Sequence, residues 1–160
     1  MAKGVTYDCD TAAGHFSELS LPASPAFTVS GHLQILNLAQ SKQYAPLARL
    51  TVSNATDVVG PSSEGWAGFE FMNLPGNKGL STGFLESTSL AKGGTKQNTV
   101  LGIASSRDVA FSLTFSGNSV RMNIDGHENS IPFNADRPIV RISCSTGEFL
   151  FYDMEIVPTR

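Results

Sequence analysis

Apolar side chains occupy every second position in most segments of the chain. In one segment the alternating apolar residues are Val109, Phe111, Leu113 and Phe115. This spacing predicts a β-strand with one buried face, because successive side chains of a strand point to opposite faces. A second alternating segment, 120–124, ends at Asp125-Gly126, a pair that favours a type I′ hairpin turn. Together with residues 127–131, these segments predict three consecutive antiparallel strands.

The same period of two predicts strands along the rest of the chain, at 16–21, 26–38, 48–52, 67–71, 100–104, 139–144 and 149–157. Gly31 falls inside one of them, where a bulge or a close backbone approach is expected. Residues 36–44 form the one stretch whose pattern allows a short helix, which Pro46 would end. About ten short strands separated by turn residues predict a β-sandwich or barrel, and 160 residues suit a single domain spanning residues 1–160.

Composition agrees with a strand-rich protein and excludes some partners. Charged residues make up only 16% of the chain, against roughly 25% in an average soluble domain, and Ser, Thr, Asn and Gly are abundant. With a net charge of −3 and no basic patch, the sequence gives no electrostatic basis for a nucleic-acid or membrane partner. The first residues contain no apolar segment typical of a signal peptide. Either the protein is cytoplasmic or a leader is missing from this sequence.

The last third of the chain has a distinctive order of strands and turns. The strands at 109–113 and 120–124 are joined through Gly117-Asn118, Val140 and Ile142 alternate later, and the final strand ends Asp153-Met154-Glu155-Ile156. Residues 97–157 thereby resemble the C-terminal half of concanavalin A-like, laminin-G-like sandwiches. The resemblance implies a two-sheet antiparallel jelly roll whose last strand packs beside the first. It also implies glycan binding, protein-surface binding or glycoside hydrolysis.

The residues that would support catalysis are scarce. Glycosidases of this fold resemble one another in a Glu-x-Asp-x-x-Glu run, which is absent here, and the nearest carboxylates are Glu64, Glu70 and Glu86. The histidines, His15, His32 and His127, are isolated in sequence, and neither a Gly-x-Ser-x-Gly elbow nor zinc-ligand spacing occurs. The sequence therefore counts against most enzyme classes and favours a protein without catalytic activity.

No cofactor is predicted, although calcium is an alternative that loop oxygen ligands would allow. The candidate ligands are Asp125, Asp136 and Asp153. The favoured interpretation is structural, with Asp125 in a turn and Asp153 in a bulge or turn.

Two cysteines, Cys9 and Cys144, permit two interpretations. As free thiols they would be small buried apolar residues. As a disulfide they would join the N-terminal segment to the penultimate strand, which the adjacent chain ends of the resembled fold allow. A bond is favoured, together with a secreted or periplasmic location, because low charge and many hydroxyl side chains suit such a compartment.

Trp66 is the single tryptophan of the chain. If Phe69 and Phe71 face the core, alternation places Trp66 and Glu70 on the outward face. An indole beside a carboxylate is typical of sugar binding, because the ring stacks on a pyranose while polar groups bind its hydroxyls. The alternative is a bulge that places Trp66 in the core or under a loop.

Further ligand-binding candidates follow from the same alternation. Arg121, Asn123 and Arg141 are expected on a neighbouring outward surface, although ordinary solvated strand faces would explain them equally. A long loop at 54–65 and a hairpin flanked by loops at 74–98 would lie on either side of the strand that carries Trp66, and both segments could contribute to binding. The leading hypothesis is a non-enzymatic module that recognises carbohydrate. The alternatives are a structural or protein-binding sandwich that self-associates and, less favoured, a glycan-cleaving enzyme.

Overall fold

The computed structural model describes residues 2–54, 66–73, 81–86 and 108–159, and within these ranges the fold is entirely β. None of these residues is helical, so the short helix allowed at 36–44 does not form; residues 36–38 continue a strand instead. The strand predicted at 100–104 lies outside the described residues. The nine strands are β1 (Ala2–Pro22), β2 (Phe27–Leu38), β3 (Leu47–Asn54), β4 (Trp66–Met72), β5 (Ser81–Glu86), β6 (Asp108–Phe115), β7 (Ser119–Ile124), β8 (His127–Pro132) and β9 (Pro138–Pro158).

Two long strands, β1 and β9, pair with each other and run through both layers of the sandwich. The first part of β9 lies between β3 and the second part of β1, and its last part lies between β2 and the first part of β1. We call one layer the front sheet; its strand order is β5-β4-β3-β9-β1, and it contains residues 138–145 of β9 and 16–22 of β1. We call the other layer the back sheet; its strand order is β8-β7-β6-β2-β9-β1, and it contains residues 147–158 of β9 and 2–11 of β1. All pairings are antiparallel, so the all-β jelly-roll prediction is confirmed.

The passage from one sheet to the other is a bend in the β1–β9 pair. Thr146 adopts φ of 61°, and the register shifts between Thr11 and Phe16 on the partner strand. At Gly147 a Cβ atom would lie 2.5 Å from the carbonyl oxygen of Asn37, so only glycine fits beside β2. The sequence predicted two strands, 139–144 and 149–157, whereas β9 is continuous because the backbone bends without leaving its ladder with β1.

The core lies between the two sheets and is rich in phenylalanine. Phe69 of β4 packs against Phe111 of β6, with ring centroids 5.3 Å apart. Cys9 and Cys144 form a disulfide with a Cα separation of 6.1 Å, both side chains being fully buried. The predicted bond is present, and it links the back-sheet part of β1 to the front-sheet part of β9.

Local details of the turns agree with the sequence. Asp125 and Gly126 both have positive φ, as a type I′ turn requires, and Asp153 has φ of 49° at a register shift of β9. Gly31 lies at a register shift of β2, where a Cβ atom would approach the Met154 side chain to 2.9 Å. The structural interpretation of Asp125 and Asp153 and the predicted bulge at Gly31 are therefore confirmed. In the described ranges we find no helix with the length and apolarity needed to cross a membrane.

Candidate functional site

A groove crosses the outward face of the front sheet. It encloses about 440 Å³, part of which is open to solvent. Its lining comes from four adjacent strands, which means that no single segment of sequence contains it. The residues that line it are Phe16, Glu18, Arg49, Thr51, Ser53, Trp66, Arg141 and Ser143.

Alternation along each strand explains why polar residues reach this groove. In β3 the residues Ala48, Leu50 and Val52 are fully buried in the core, which directs Arg49, Thr51 and Ser53 outward. The antiparallel register then places outward residues of different strands side by side. One such row is Glu70, Arg49, Ser143 and Glu18, and the next is Gly68, Thr51, Arg141 and Ser20.

Trp66 is at the start of β4 and is half-buried beside the groove. The guanidinium carbon of Arg49 lies 5.3 Å from the centroid of its ring, within the range of a cation–π contact. The core face of β4 is filled by Ala67, Phe69 and Phe71. Trp66 therefore lies on the outward face of β4, whereas the segments that the alternative would place over it, 55–65 and 74–80, lie outside the described residues.

Glu70 lies on the same outward face but is only 4% exposed. The Arg49 Nε–H donates a hydrogen bond to Glu70 Oε2, and the two residues are paired across β3 and β4. We expected Glu70 as an exposed carboxylate ready to bind sugar hydroxyls. It instead neutralises Arg49 and fixes the guanidinium against Trp66, so its role at the groove is to position other side chains.

Arg141 lies in the middle of the groove and is 8% exposed. Its Nε atom is 4.0 Å from Glu18 Oε1 on the neighbouring strand β1. The buried hydroxyl of Ser53 has no hydrogen-bond partner among the described residues. A buried hydroxyl without a partner is costly, and a ligand or water that supplied one would be stabilised there.

Gly68 allows β4 to pack closely against β3 beside the groove. A Cβ atom at this position would lie 2.1 Å from the carbonyl oxygen of Leu50 and 2.6 Å from Thr51 Cα. Both atoms belong to the backbone of β3 and cannot rotate away. Any side chain at residue 68 would therefore displace β3 from β4.

Arg121 and Asn123 are not part of the groove. Both face outward on β7, but β7 belongs to the back sheet. The carbonyl oxygen of the Asn123 side chain accepts a hydrogen bond from the Gly126 N–H at 3.1 Å, which stabilises the hairpin turn. The prediction that Arg121 and Asn123 share a surface with Arg141 is wrong, because alternation fixes the side of a strand and not the sheet it joins.

The back sheet carries a cluster of its own on its outward face. The Tyr152 hydroxyl donates a hydrogen bond to Asp108 Oδ2, and His32 Nδ1 lies 3.2 Å from Asp108 Oδ1. The rings of His32 and Tyr152 stack with centroids 5.1 Å apart. The hydrogen bond to Asp108 raises the pKa of Tyr152 to about 12, with burial and the Asp108 charge adding to the effect. His32 is isolated from the other histidines in sequence, but the fold places it beside two partners, Asp108 and Tyr152.

Within the described residues, two glutamates lie on the outward face of the front sheet, Glu18 and Glu70. Glu18 and Glu70 end one row of the groove with β3 and β9 between them. Three strand spacings, about 14 Å, separate their backbones, and each carboxylate is directed toward an arginine on the neighbouring strand, Glu70 toward Arg49 and Glu18 toward Arg141. Glu64 and the side chain of Glu86 lie outside the described residues, as do residues 55–65, 74–80 and 87–98. Among the described residues no three His, Cys, Asp or Glu side chains are grouped to hold a metal ion.

The groove includes residues that the sequence analysis did not single out. Apolar core residues alternate along β3 and β9, and this alternation implies that the residues between them, Arg49, Thr51 and Ser143, face outward. The missing information was the register, which pairs β3 with both β4 and β9. Phe16 was missed because it begins the regular part of β1 after a register shift and its side chain is 53% exposed.

Comparison with known proteins relates the fold, and not the sequence, to other families. No protein-family model and no curated protein matches the sequence. Among solved structures, the PL7 alginate lyase AlyA1 from Zobellia galactanivorans has a TM-score of 0.59 at 11% identity; the match covers 88% of this chain and 65% of the lyase. The present chain therefore spans less than two thirds of that enzyme.

Two further similar structures are carbohydrate-binding proteins by name. The carbohydrate recognition domain of Emp46p in its metal-free form has a TM-score of 0.57 at 12% identity, covering 95% of this chain and 82% of that domain. Toad ovary galectin, solved with thio-digalactose, has a TM-score of 0.53 at 11% identity. The match covers 90% of this chain and 99% of the galectin. At these identities the similarity shows the fold, which is the concanavalin A-like sandwich that the C-terminal strands resemble.

Proposed function

We propose that this protein is a non-enzymatic module that binds carbohydrate in the groove of the front sheet. The observation that carries the proposal is the half-buried indole of Trp66, fixed by Arg49 at the side of a groove with polar residues on its floor. An aromatic ring stacks on the apolar face of a sugar, and hydroxyl and guanidinium groups bind the sugar hydroxyls. The groove offers Thr51, Ser143 and Arg141 for those hydrogen bonds.

The fold and the charge of the groove support this function over hydrolysis. The structural neighbours include a carbohydrate recognition domain and a galectin, and an alginate lyase also shares the fold. In the groove Arg49 and Arg141 each face a glutamate, so their charges are compensated within the protein.

The disulfide supports an oxidising compartment as the place of action. Disulfides form and persist in secreted proteins, in the endoplasmic reticulum lumen and in the bacterial periplasm, and are rare in a reducing cytosol. The buried Cys9–Cys144 bond is therefore most compatible with a protein that functions outside the cytosol.

The test is to titrate the protein with each member of a glycan panel and to monitor binding by the fluorescence of Trp66, the single tryptophan. For a glycan that binds, Trp66→Ala should weaken binding by roughly 1–3 kcal/mol, measured by calorimetry because the variant has no indole. Arg121→Ala on the back sheet is the matched control and should bind as the wild type does. Unchanged affinity of a folded Trp66→Ala variant would contradict the proposal. A panel without any binding, together with a dimeric mass in solution, would favour the self-associating alternative.

A further inference from the structure

The groove is bounded by a second aromatic side chain, far from Trp66. Phe16 lines the same groove from β1, at the opposite side of the front sheet from β4. Its side chain is 53% exposed and lies outside the core, in contrast to the buried Phe69 and Phe71 of β4. Burial of an apolar side chain stabilises a fold, so the exposed Phe16 ring contributes little to folding.

The register gives the spacing between the two aromatic residues. Trp66 pairs with Ser53, whereas Phe16 pairs with Ser145, which in turn pairs with Leu47. Their backbones are thus separated by three strand spacings, about 14 Å across the sheet, and by six residues, about 20 Å along the strands. One sugar ring cannot contact both side chains, but a chain of several sugar units lying diagonally across the groove can.

Phe16 is held in place although its ring is exposed. The preceding bend of β1 is fixed where the Gly14 N–H donates a hydrogen bond to Thr146 Oγ1 at 3.2 Å. The ring of Tyr44 covers Gly14 so closely that a Cβ atom there would lie 2.8 Å from Tyr44 Cε2. A ring whose backbone is already ordered binds with a smaller entropy loss, as a preformed contact site requires.

We propose that the groove binds an internal stretch of a linear glycan several sugar units long, with Trp66 and Phe16 as separate contacts and the polar floor between them. This proposal rests on the proposed function and specifies its ligand as a chain rather than a single terminal sugar. Thr51, Arg141 and Ser143 lie between the two rings and bind the hydroxyls of the intervening units.

The experiment measures affinity against chain length. Linear glucose, galactose and mannose oligomers are titrated by calorimetry as the monosaccharide, the disaccharide and the hexasaccharide. The hexasaccharide of the sugar that binds should bind at least tenfold more tightly than the disaccharide. Phe16→Ala should lower the affinity for the hexasaccharide by about tenfold and leave that for the disaccharide unchanged, whereas Trp66→Ala lowers both. Val157→Ala, which truncates another exposed apolar side chain on the back sheet, is the control.

The outcomes separate this proposal from the proposed function. Equal affinity for disaccharide and hexasaccharide, or a Phe16→Ala variant that binds the hexasaccharide normally, overturns the chain-binding proposal while glycan binding stands. A Phe16→Ala variant that loses affinity equally for both lengths also overturns it, since both rings would then contact one sugar. Failure of every oligomer and of the wider panel overturns both proposals.

Discussion

The outward faces of the front and back sheets differ although the same alternating pattern builds both. On the front sheet Glu70, Arg141 and Ser143 are almost completely buried, and each arginine of the groove lies beside a glutamate. On the back sheet Arg121 is exposed at an equivalent outward position. The strand pattern therefore determines which side chains leave the core, and the side chains on neighbouring strands determine how far they stay exposed.

The two faces also use charge differently. In the groove the charges of opposite sign lie on adjacent strands, Arg49 directly opposite Glu70 and Arg141 diagonally from Glu18. On the back sheet the acidic side chains of Asp8, Asp10 and Glu148 lie close together on β1 and β9. The pKa of Glu148 is raised, mainly by its hydrogen bond with Asp8 and further by burial and by the charges of Asp8 and Asp10. Compensated charges suit a binding surface for a neutral ligand, whereas a cluster of like charges opposes close packing with another acidic surface.

The largest expected change in the free energy of unfolding concerns the Cys9–Cys144 disulfide, which joins the two sheets. Replacement of Cys9 and Cys144 by alanine should lower the free energy of unfolding by about 4–5 kcal/mol in the chain-entropy model, because the disulfide closes a loop that contains most of the chain. Denaturant unfolding measures the change. The wild-type protein under reducing conditions is the matched control and should lose a similar amount. A loss below about 1 kcal/mol would show that the β1–β9 ladder alone holds the sheets together.

A smaller effect should distinguish the two faces directly. Glu70→Gln removes the charge that compensates Arg49 in a buried row, and we expect a loss of about 1–3 kcal/mol in the free energy of unfolding. It should also shift the emission of Trp66, since Arg49 loses its anchor. Arg121→Gln on the exposed face should change stability by less than about 0.5 kcal/mol. Equal effects of the two substitutions would remove the distinction between the faces.

The smallest effect is expected at the exposed cluster of the back sheet. Asp108→Asn should lower the pKa of Tyr152 from about 12 toward its ordinary value of 10.0, because Asp108 is the main cause of the increase. Ultraviolet titration of the phenolate measures the pKa, and Tyr152→Phe identifies the signal among the three tyrosines.

The raised pKa of Tyr152 also predicts how the free energy of unfolding changes with pH. The folded protein retains the Tyr152 proton where the unfolded chain has lost it, so the contribution is complete below pH 10 and is lost as the pH rises toward 12. The free energy of unfolding of the wild type should fall more steeply in this window than that of Asp108→Asn. Parallel pH profiles would show that the Tyr152–Asp108 hydrogen bond is absent in solution.

Much of the fold is predictable from the sequence because alternation is a local property. The positions of the core residues in β3, β4, β6 and β7 follow from a period of two, and Asp125-Gly126 specifies its turn through positive φ. The continuity of β9 could not be predicted in the same way. Its bend at Thr146 depends on contacts with β1 and β2, which lie more than a hundred residues away in sequence.

The candidate site was predictable only in part for a related reason. Alternation correctly placed Trp66 and Arg141 on outward faces. It also predicted Arg121 and Asn123 as ligand-binding residues, although they lie on the back sheet. What brings Trp66, Arg49 and Arg141 together is the pairing of β3 with β4 on one side and with β9 on the other. Register between distant strands leaves no mark in the local pattern, so the partners of each outward residue become known only with the fold.

The path of β9 through both sheets has a consequence for the order in which the molecule assembles. During synthesis β1, β2 and β3 emerge long before β9, yet each of them needs β9 as its neighbour in a ladder. Neither sheet can close until the two distant parts of the chain meet, and closing such long loops slows folding. The early strands therefore spend that interval with unpaired edges, which makes the nascent chain, rather than the finished sandwich, the form most exposed to aggregation.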